Sequence, residues 1–418
     1  MDEVMAIWAE WVKPSAGLPT VQWSLLLAVA AAAGHMLQRY TGLPKVVGYS
    51  IIGTLAGLAG FSGGAWPLQG VTLFLLELGV SVVLFEAGGR IALRWFRHNP
   101  MVLLQSLLES VLTAVVVYYV LRWLDVRASV AEAVALIAMA ASPAVLSRVI
   151  IDTQAAGPVT ERAMVLSTLS TFYALTLVSA RVGTLHREET NLVATLYPVA
   201  VVLGISIVVG ALLALALRSA LRVMSPSSEN TSIVMISLIA AGTALAAHFG
   251  GSAPLAALLG GVLLKQLHPR PWAWPRQLGT AASLLTMLMF VLVSVVAAKA
   301  DWNPAVVGLV AALVVARGVA KIAGISLANW GSGTSFRQAF WIGCAMSPMS
   351  SIPLLLVSQF VASSLTLGPR IASIALPAIL LMEILGAIIA TYAIYRAGEG
   401  QSPRQQQGAG LTPGELRG

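Results

Sequence analysis

The sequence predicts an all-α polytopic membrane protein of about 13 transmembrane helices, and three observations carry the prediction. Of its 418 residues, 58% are hydrophobic and 10% are charged, against roughly 25% charged in a soluble globular domain. Mean hydropathy is +0.85, and apolar stretches of about 20 residues recur from end to end. Two of those stretches carry Ser-Pro near their centres, which predicts a pair of interrupted helices. A single cysteine, Cys344, excludes a disulfide scaffold and reads as a small packing residue. No polar run is long enough for a second, soluble domain.

In chain order, residues 1–17 read as an N-terminal interfacial segment carrying Trp8 and Trp11. The start, Met1-Asp2-Glu3, lacks the basic region of a signal peptide, so the first span is expected to be permanent. Spans are expected at 18–38, 45–60, 68–88, 100–121, 128–150, 160–182, 194–218, 229–248, 252–267, 278–298, 303–327, 335–360 and 371–395. The membrane domain then covers 18–396, and the Gln/Gly/Pro-rich stretch 397–418 is expected to be a disordered tail.

The 25 Lys and Arg residues, against 17 acidic ones, orient these spans. Sixteen, including Arg90, Arg94, Arg97, Arg148, Arg162 and Arg396, fall on one side, and seven, including Arg122, Arg127 and Lys299, on the other. By the positive-inside rule the N-terminus is expected outside and the C-terminus in the cytoplasm, with the cell (inner) membrane as the expected location. Trp23, Trp66, Trp95, Trp123, Trp302 and Trp330 stand near span ends, as interfacial indoles do. The basic residues are scattered between apolar segments rather than clustered, so the positive balance does not point to nucleic acid.

The interrupted spans are the fifth, with Ser142-Pro143, and the twelfth, with Ser347-Pro348, Ser350, Ser351 and Pro353. Proline removes an amide donor and clashes with the preceding turn. In hydrocarbon the freed backbone groups must line a cavity or find internal partners. The two spans are seven apart and therefore run in opposite directions. Matched breaks in two inverted halves mark the central site of a secondary transporter.

Five ionisable residues lie inside apolar runs: Glu77, Glu109, Arg317, Lys321 and Glu383. Each unpaired charge costs about 2.5–3.5 kcal/mol on insertion scales, so five cost on the order of 15 kcal/mol. Arg317 keeps its proton and needs an acidic or backbone partner, with Glu109 and Glu383 as candidates. Lys321, one turn away, is expected either to join them or to snorkel toward the interface. Glu86 sits near the end of its span, where water reaches.

Three segments carry a family resemblance. They are Leu43-Pro44-Lys45-Val46-Val47-Gly48-Tyr49, Leu84-Phe85-Glu86-Ala87-Gly88-Gly89-Arg90, and Ala141-Ser142-Pro143-Ala144-Val145 followed by Gly157-Pro158-Val159-Thr160-Glu161-Arg162. In order and spacing they resemble the monovalent cation/proton antiporters, the sodium/hydrogen exchangers. The likeness runs on through Ala316-Arg317-Gly318-Val319-Ala320-Lys321 to the second break, over residues 40–390.

The resemblance implies an inverted-repeat antiporter fold with two broken helices crossing at the membrane centre. It also implies a homodimer in which core helices, here about 100–182 and 303–395, move against a dimerisation panel. The transported species would be monovalent cations and protons. Arg317 would take the family's basic position beside the carbonyl ends of the breaks.

The chain departs from that family at the residues that matter most. Where the family carries Asn-Asp or Asp-Asp after the first break, this chain reads Ser170-Thr171, and Ser142 stands where some members have an aspartate. A hydroxyl can ligate a cation but does not titrate in the physiological range. One reading relocates the proton-carrying acid to Glu383 or Glu109, with Ser142, Ser170, Thr171, Ser347 and Ser350 as hydroxyl ligands. A second is a proton-uncoupled transporter of an anion or neutral solute, and a third is a non-transporting ion sensor or scaffold. The histidines show no metal-ligand spacing, and no P-loop or dinucleotide motif is present. No cofactor and no enzymatic activity are expected.

Overall fold

Proline and short polar side chains set where the helices begin. The computed structural model describes residues 18–61, 66–185, 192–225, 228–267 and 276–401. The expected interfacial segment with Trp8 and Trp11, and most of the tail, lie outside the described residues.

The helices are α1 (Leu18–Thr41), α2 (Lys45–Leu58), α3 (Gly70–Gly89), α4 (Leu93–His98), α5 (Pro100–Trp123), α6 (Ala128–Met139), α7 (Pro143–Thr153) and α8 (Pro158–Thr184). They continue with α9 (Leu192–Val223), α10 (Glu229–His248), α11 (Ala253–Leu267), α12 (Arg276–Ala298), α13 (Pro304–Leu327), α14 (Phe336–Ala345), α15 (Ser351–Ser363) and α16 (Gly368–Ala397). No strand occurs among the described residues. Helices α5, α7, α8, α13 and α16 each carry proline in the first turn, where no amide donor is needed. Asn303 caps α13 by accepting from the Val306 amide at 2.8 Å, and Ser335 with Gln338 forms a capping box on α14.

Each expected span falls on one helix, except that the two Ser-Pro spans each divide into two. Among the described residues nine segments are long and apolar enough to cross a membrane, α6 and α7 taken together. Helices α2, α11 and α15 and the later part of α12 are shorter apolar helices. The polarity of α5 is that of a membrane helix. It exposes Leu104, Leu107, Val111 and Val115 and buries Gln105, Ser106, Glu109, Ser110 and Thr113. Apolar side chains face the lipid and polar ones face the protein.

Helix α5 lies along α13 and α6, α3 along α11 and α12, and α2 along α1 and α12. Helix α16 touches α12, α13, α14 and α15. A Cβ on Gly53 would stand 2.8 Å from the Val291 carbonyl oxygen, and one on Gly57 2.6 Å from that of Val295. The Gly53-Thr-Leu-Ala-Gly57 pattern is common by chance in a chain with 37 glycines. Here it lets α2 and α12 meet backbone to backbone.

Beyond α16, residues 398–401 pack against the α7–α8 loop. Gly398, at φ 78°, ends α16 and turns the chain back onto the α7–α8 loop. The Glu399 carboxylate accepts from the amides of Val159 at 2.8 Å and Thr160 at 2.7 Å. The Ala156 amide donates to the Glu399 carbonyl at 3.1 Å, and the Gln401 amide to that of Thr153 at 2.9 Å. Unpaired amides at the start of α8, and the positive end of its dipole, hold the carboxylate.

Candidate functional site

The first break lies at Ala140–Ser142, between α6 and α7, and the second at Met346–Ser350, between α14 and α15. Ala140 and Ser142 are extended, and the Ser142 hydroxyl caps α7 by accepting from the Val145 amide at 3.4 Å. The C-terminal carbonyls of α6 and α14 are thereby left without intrahelical partners, in hydrocarbon and away from water.

Arg317, 1% exposed on α13, supplies the missing donors. Its Nε donates to Ala138 O at 2.9 Å, Nη2 to Ala140 O at 2.8 Å and Pro348 O at 3.4 Å, and Nη1 to Ser347 O at 2.5 Å. One guanidinium thus ties both breaks together, at the negative ends of two half-helix dipoles. The carboxylates considered as its partners in the sequence do not bind it.

Lys321 does not snorkel. It is fully buried, and its Nζ forms an ion pair with Glu109 and donates to Met139 O at 3.1 Å. Gly324 explains how Glu109 comes so close, since a Cβ there would stand 2.5 Å from the Glu109 Cα. Glu109 also accepts from Thr113 Oγ1 at 3.3 Å and Ser110 Oγ at 3.2 Å. A lysine held in this way has its charge cancelled where it stands, so it gains nothing by reaching for water.

Glu383, on α16, is also fully buried but has no cationic partner among the described residues. Its Oε1 accepts from Ser350 Oγ at 2.8 Å and its Oε2 from Ser294 Oγ at 2.9 Å. Ser350 is the N-cap residue of α15, so the carboxylate lies at the positive end of that half-helix. Close packing holds it there, because a Cβ on Gly386 would meet the Pro348 Cα at 2.6 Å.

Ser170 and Thr171, on α8, face the first break. The Ala141 amide donates to Ser170 Oγ at 3.4 Å, and Thr171 Oγ1 lies 2.9 Å from Ala141 O and 2.8 Å from Ser167 O. The structure therefore gathers Ser142, Pro143, Ser170 and Thr171 at the first break and Ser347, Pro348, Ser350 and Glu383 at the second. Arg317 binds carbonyls of both breaks, and the Glu109–Lys321 pair adjoins the first through Met139.

Glu86 is elsewhere, paired at 2.6 Å with Arg90, the C-cap residue of α3, and Glu77 is half-buried on the same helix. A cavity of about 470 Å³ lies between α3, α7 and α8 at the Arg90 end, lined by Arg90, Trp95, Ile150, Glu161 and Thr168 among others.

Sequence reasoning missed Ser294, the partner of Glu383 on α12. A lone serine in an apolar run carries no signal of its own. The Gly53–Gly57 pattern was the available pointer, since it marks where α2 packs against α12, and a Cβ on Gly53 would meet the Ser294 Cβ at 2.9 Å.

A search of curated protein sequences returns no match. Among solved structures, the sodium proton antiporter MjNhaP1 from Methanocaldococcus jannaschii shares the fold. Its structure at pH 8 is 16% identical, covers 91% of this chain and 98% of its own, and superposes with a TM-score of 0.68. An electron-microscopy map of the same antiporter is 14% identical, covers 96% of this chain and 100% of its own, with a TM-score of 0.71. The family model for the transmembrane sodium/hydrogen exchanger matches residues 24–394. A match over that much of the chain makes this multi-pass membrane protein a member of the sodium/hydrogen exchanger family.

Proposed function

We propose that the protein is a secondary active transporter that exchanges a monovalent cation, Na⁺ or K⁺, for protons by alternating access, with Glu383 as the proton-carrying carboxylate. The observation that carries this reading is the state of Glu383, buried at the second helix break and held by hydroxyls alone. Exchange needs one acid that can hold either a proton or a cation. Thr171 has no titratable group, and Glu109 is already neutralised by Lys321. Glu383 is the remaining fully buried acid among the described residues.

In this reading Ser142, Ser170, Thr171, Ser347 and Ser350 line the centre, and Arg317 keeps the breaks open. Helices α5–α8 and α13–α16 form the moving unit, the other helices form a dimerisation panel, and the protein is a homodimer. It sits in the cell membrane with its N-terminus outside. The four Arg317 hydrogen bonds to carbonyls argue against the anion-transport reading, because that guanidinium is already engaged.

The test is proton flux in proteoliposomes carrying an internal pH dye and an acidic lumen. Addition of Na⁺ or K⁺ outside is expected to alkalinise the lumen with wild type and to have no effect with Glu383→Gln. Unaltered exchange by Glu383→Gln would refute the assignment of the carboxylate. Silence of the wild type toward every alkali cation would refute exchange itself and leave the anion-transport and scaffold readings.

A further inference from the structure

The two halves of the chain place equivalent helices after their breaks. Helices α8 and α16 both begin with proline in the first turn, at Pro158 and Pro369. Thr171 and Glu383 lie about four turns beyond those prolines. Ser170 and Thr171 touch Ala141 in the first break as Glu383 touches Ser350 in the second. Glu383 therefore stands at the counterpart, in the second inverted half, of the position that the first half fills with a hydroxyl.

What surrounds Glu383 differs from what surrounds Thr171. Ser294 reaches it from α12, and Ser50 faces the same carboxylate from α2 without meeting hydrogen-bond geometry. The Ser50 hydroxyl is fully buried and makes no hydrogen bond of good geometry among the described residues. A buried hydroxyl left in this way is costly, and it lies beside a carboxylate with no cationic partner among the described residues.

We propose that Glu383, Ser350, Ser294 and Ser50 form one oxygen-only site, drawn from α16, the second break, α12 and α2, for a small dehydrated alkali cation of the Na⁺ or Li⁺ class. The proposal rests on the exchange reading and adds Ser294 and Ser50 as ligands that determine specificity. In the ion-free form Glu383 is a carboxylic acid whose O–H is directed toward the Ser50 side. When the cation enters, that O–H bond breaks and the proton leaves. The carboxylate then ligates the cation, while the three hydroxyls turn their lone pairs toward it. The site is neutral in both forms, so neither leaves a net charge in hydrocarbon. A carboxylate is a strong-field ligand, which favours the smaller, more tightly held alkali cations over K⁺.

Two readouts test this, one of binding and one of flux. Detergent-purified wild type is expected to unfold at a higher temperature with rising NaCl or LiCl than with choline chloride, by mass action on the folded state. Ser294→Ala and Ser50→Ala are each expected to raise the half-stabilising Na⁺ concentration about tenfold, the weight of one hydrogen-bonding group on a charge. Glu383→Gln is expected to abolish the shift. In liposomes the same serine variants are expected to raise the half-saturating Na⁺ concentration by a similar factor, with the maximal rate less affected.

Unchanged half-saturating concentrations in both serine variants, with wild type still exchanging, would overturn the four-helix site and leave the exchange reading standing. Na⁺-dependent stabilisation that needs Glu383 and the serines, without flux, would support the site and remove the exchange reading. Unfolding in choline chloride reports the fold of each variant. The isosteric Glu383→Gln keeps the binding test informative if one serine variant misfolds.

Discussion

Removing either partner of the Glu109–Lys321 pair is expected to destabilise the protein far more than removing both. Both side chains are fully buried, and Lys321 is further tied to Met139 O at the end of α6. Glu109→Gln leaves an ammonium, and Lys321→Met a carboxylate, buried without a countercharge. Breaking a buried pair from one side costs about 3–5 kcal/mol, whereas replacing both partners with neutral groups is often close to neutral. The coupling energy of the cycle is therefore expected to be roughly 3 kcal/mol or more. An unfolding entropy of about 2.1 cal/mol/K per residue makes 1 kcal/mol equal to roughly 1 °C in a chain of this size. Each single variant should melt about 3–5 °C below wild type in the same detergent and salt, and Glu109→Gln with Lys321→Met should recover most of that loss. Additive losses in the double variant would refute the reasoning, because independent sites do not rescue one another.

Three further outcomes follow from the same contacts. Arg317→Ala removes the donors to four carbonyls, each worth about 1–3 kcal/mol when left buried and unpaired; it should melt lowest of all these variants and lose exchange in liposomes. Gly53→Ala puts a methyl 2.8 Å from the Val291 carbonyl oxygen, an overpacking cost of about 1–3 kcal/mol. A melting temperature equal to that of wild type would show that α2 and α12 do not touch there. Glu399→Gln weakens the cap on α8, at about 0.5–2 kcal/mol, and should speed hydrogen exchange of the Val159 and Thr160 amides while leaving the helix centre protected.

The helices were legible because the signals that define them are local. Apolar runs of membrane length, a proline at the start of α5, α8, α13 and α16, and Ser-Pro in mid-span all act within a few residues of where they occur. The need for partners at Glu109, Arg317, Lys321 and Glu383 was legible too, since a charge in an apolar run carries its cost wherever it packs. The identity of each partner was not. Arg317 and Lys321 are one turn apart on α13, and nothing in that spacing says that the first binds carbonyls and the second a carboxylate. That choice depends on how α13 sits between α5 and the two breaks, which is a matter of tertiary packing. Ser294 and Ser50 carried no signal of their own for the same reason. The docking of Glu399 depends on amides of α8 that lie far away in sequence.

The charge balance of the centre explains why one acid differs from the others. Lys321 and Glu109 cancel as a pair. Arg317 stands where the carbonyl ends of α6 and α14 converge, and two helix C-termini together offer roughly one negative charge. Glu383 has on its side the N-terminus of α15 and hydroxyls from Ser350 and Ser294, worth roughly half a positive charge. Of the four fully buried ionisable groups among the described residues it is the one whose surroundings fall short of its charge. A site in that state attracts whatever small positive species reaches it, and a proton and an alkali cation satisfy it equally in sign. On the proposed reading, occupancy by one excludes the other, and this competition is what would couple a cation to a proton at a single carboxylate without an aspartate on α8.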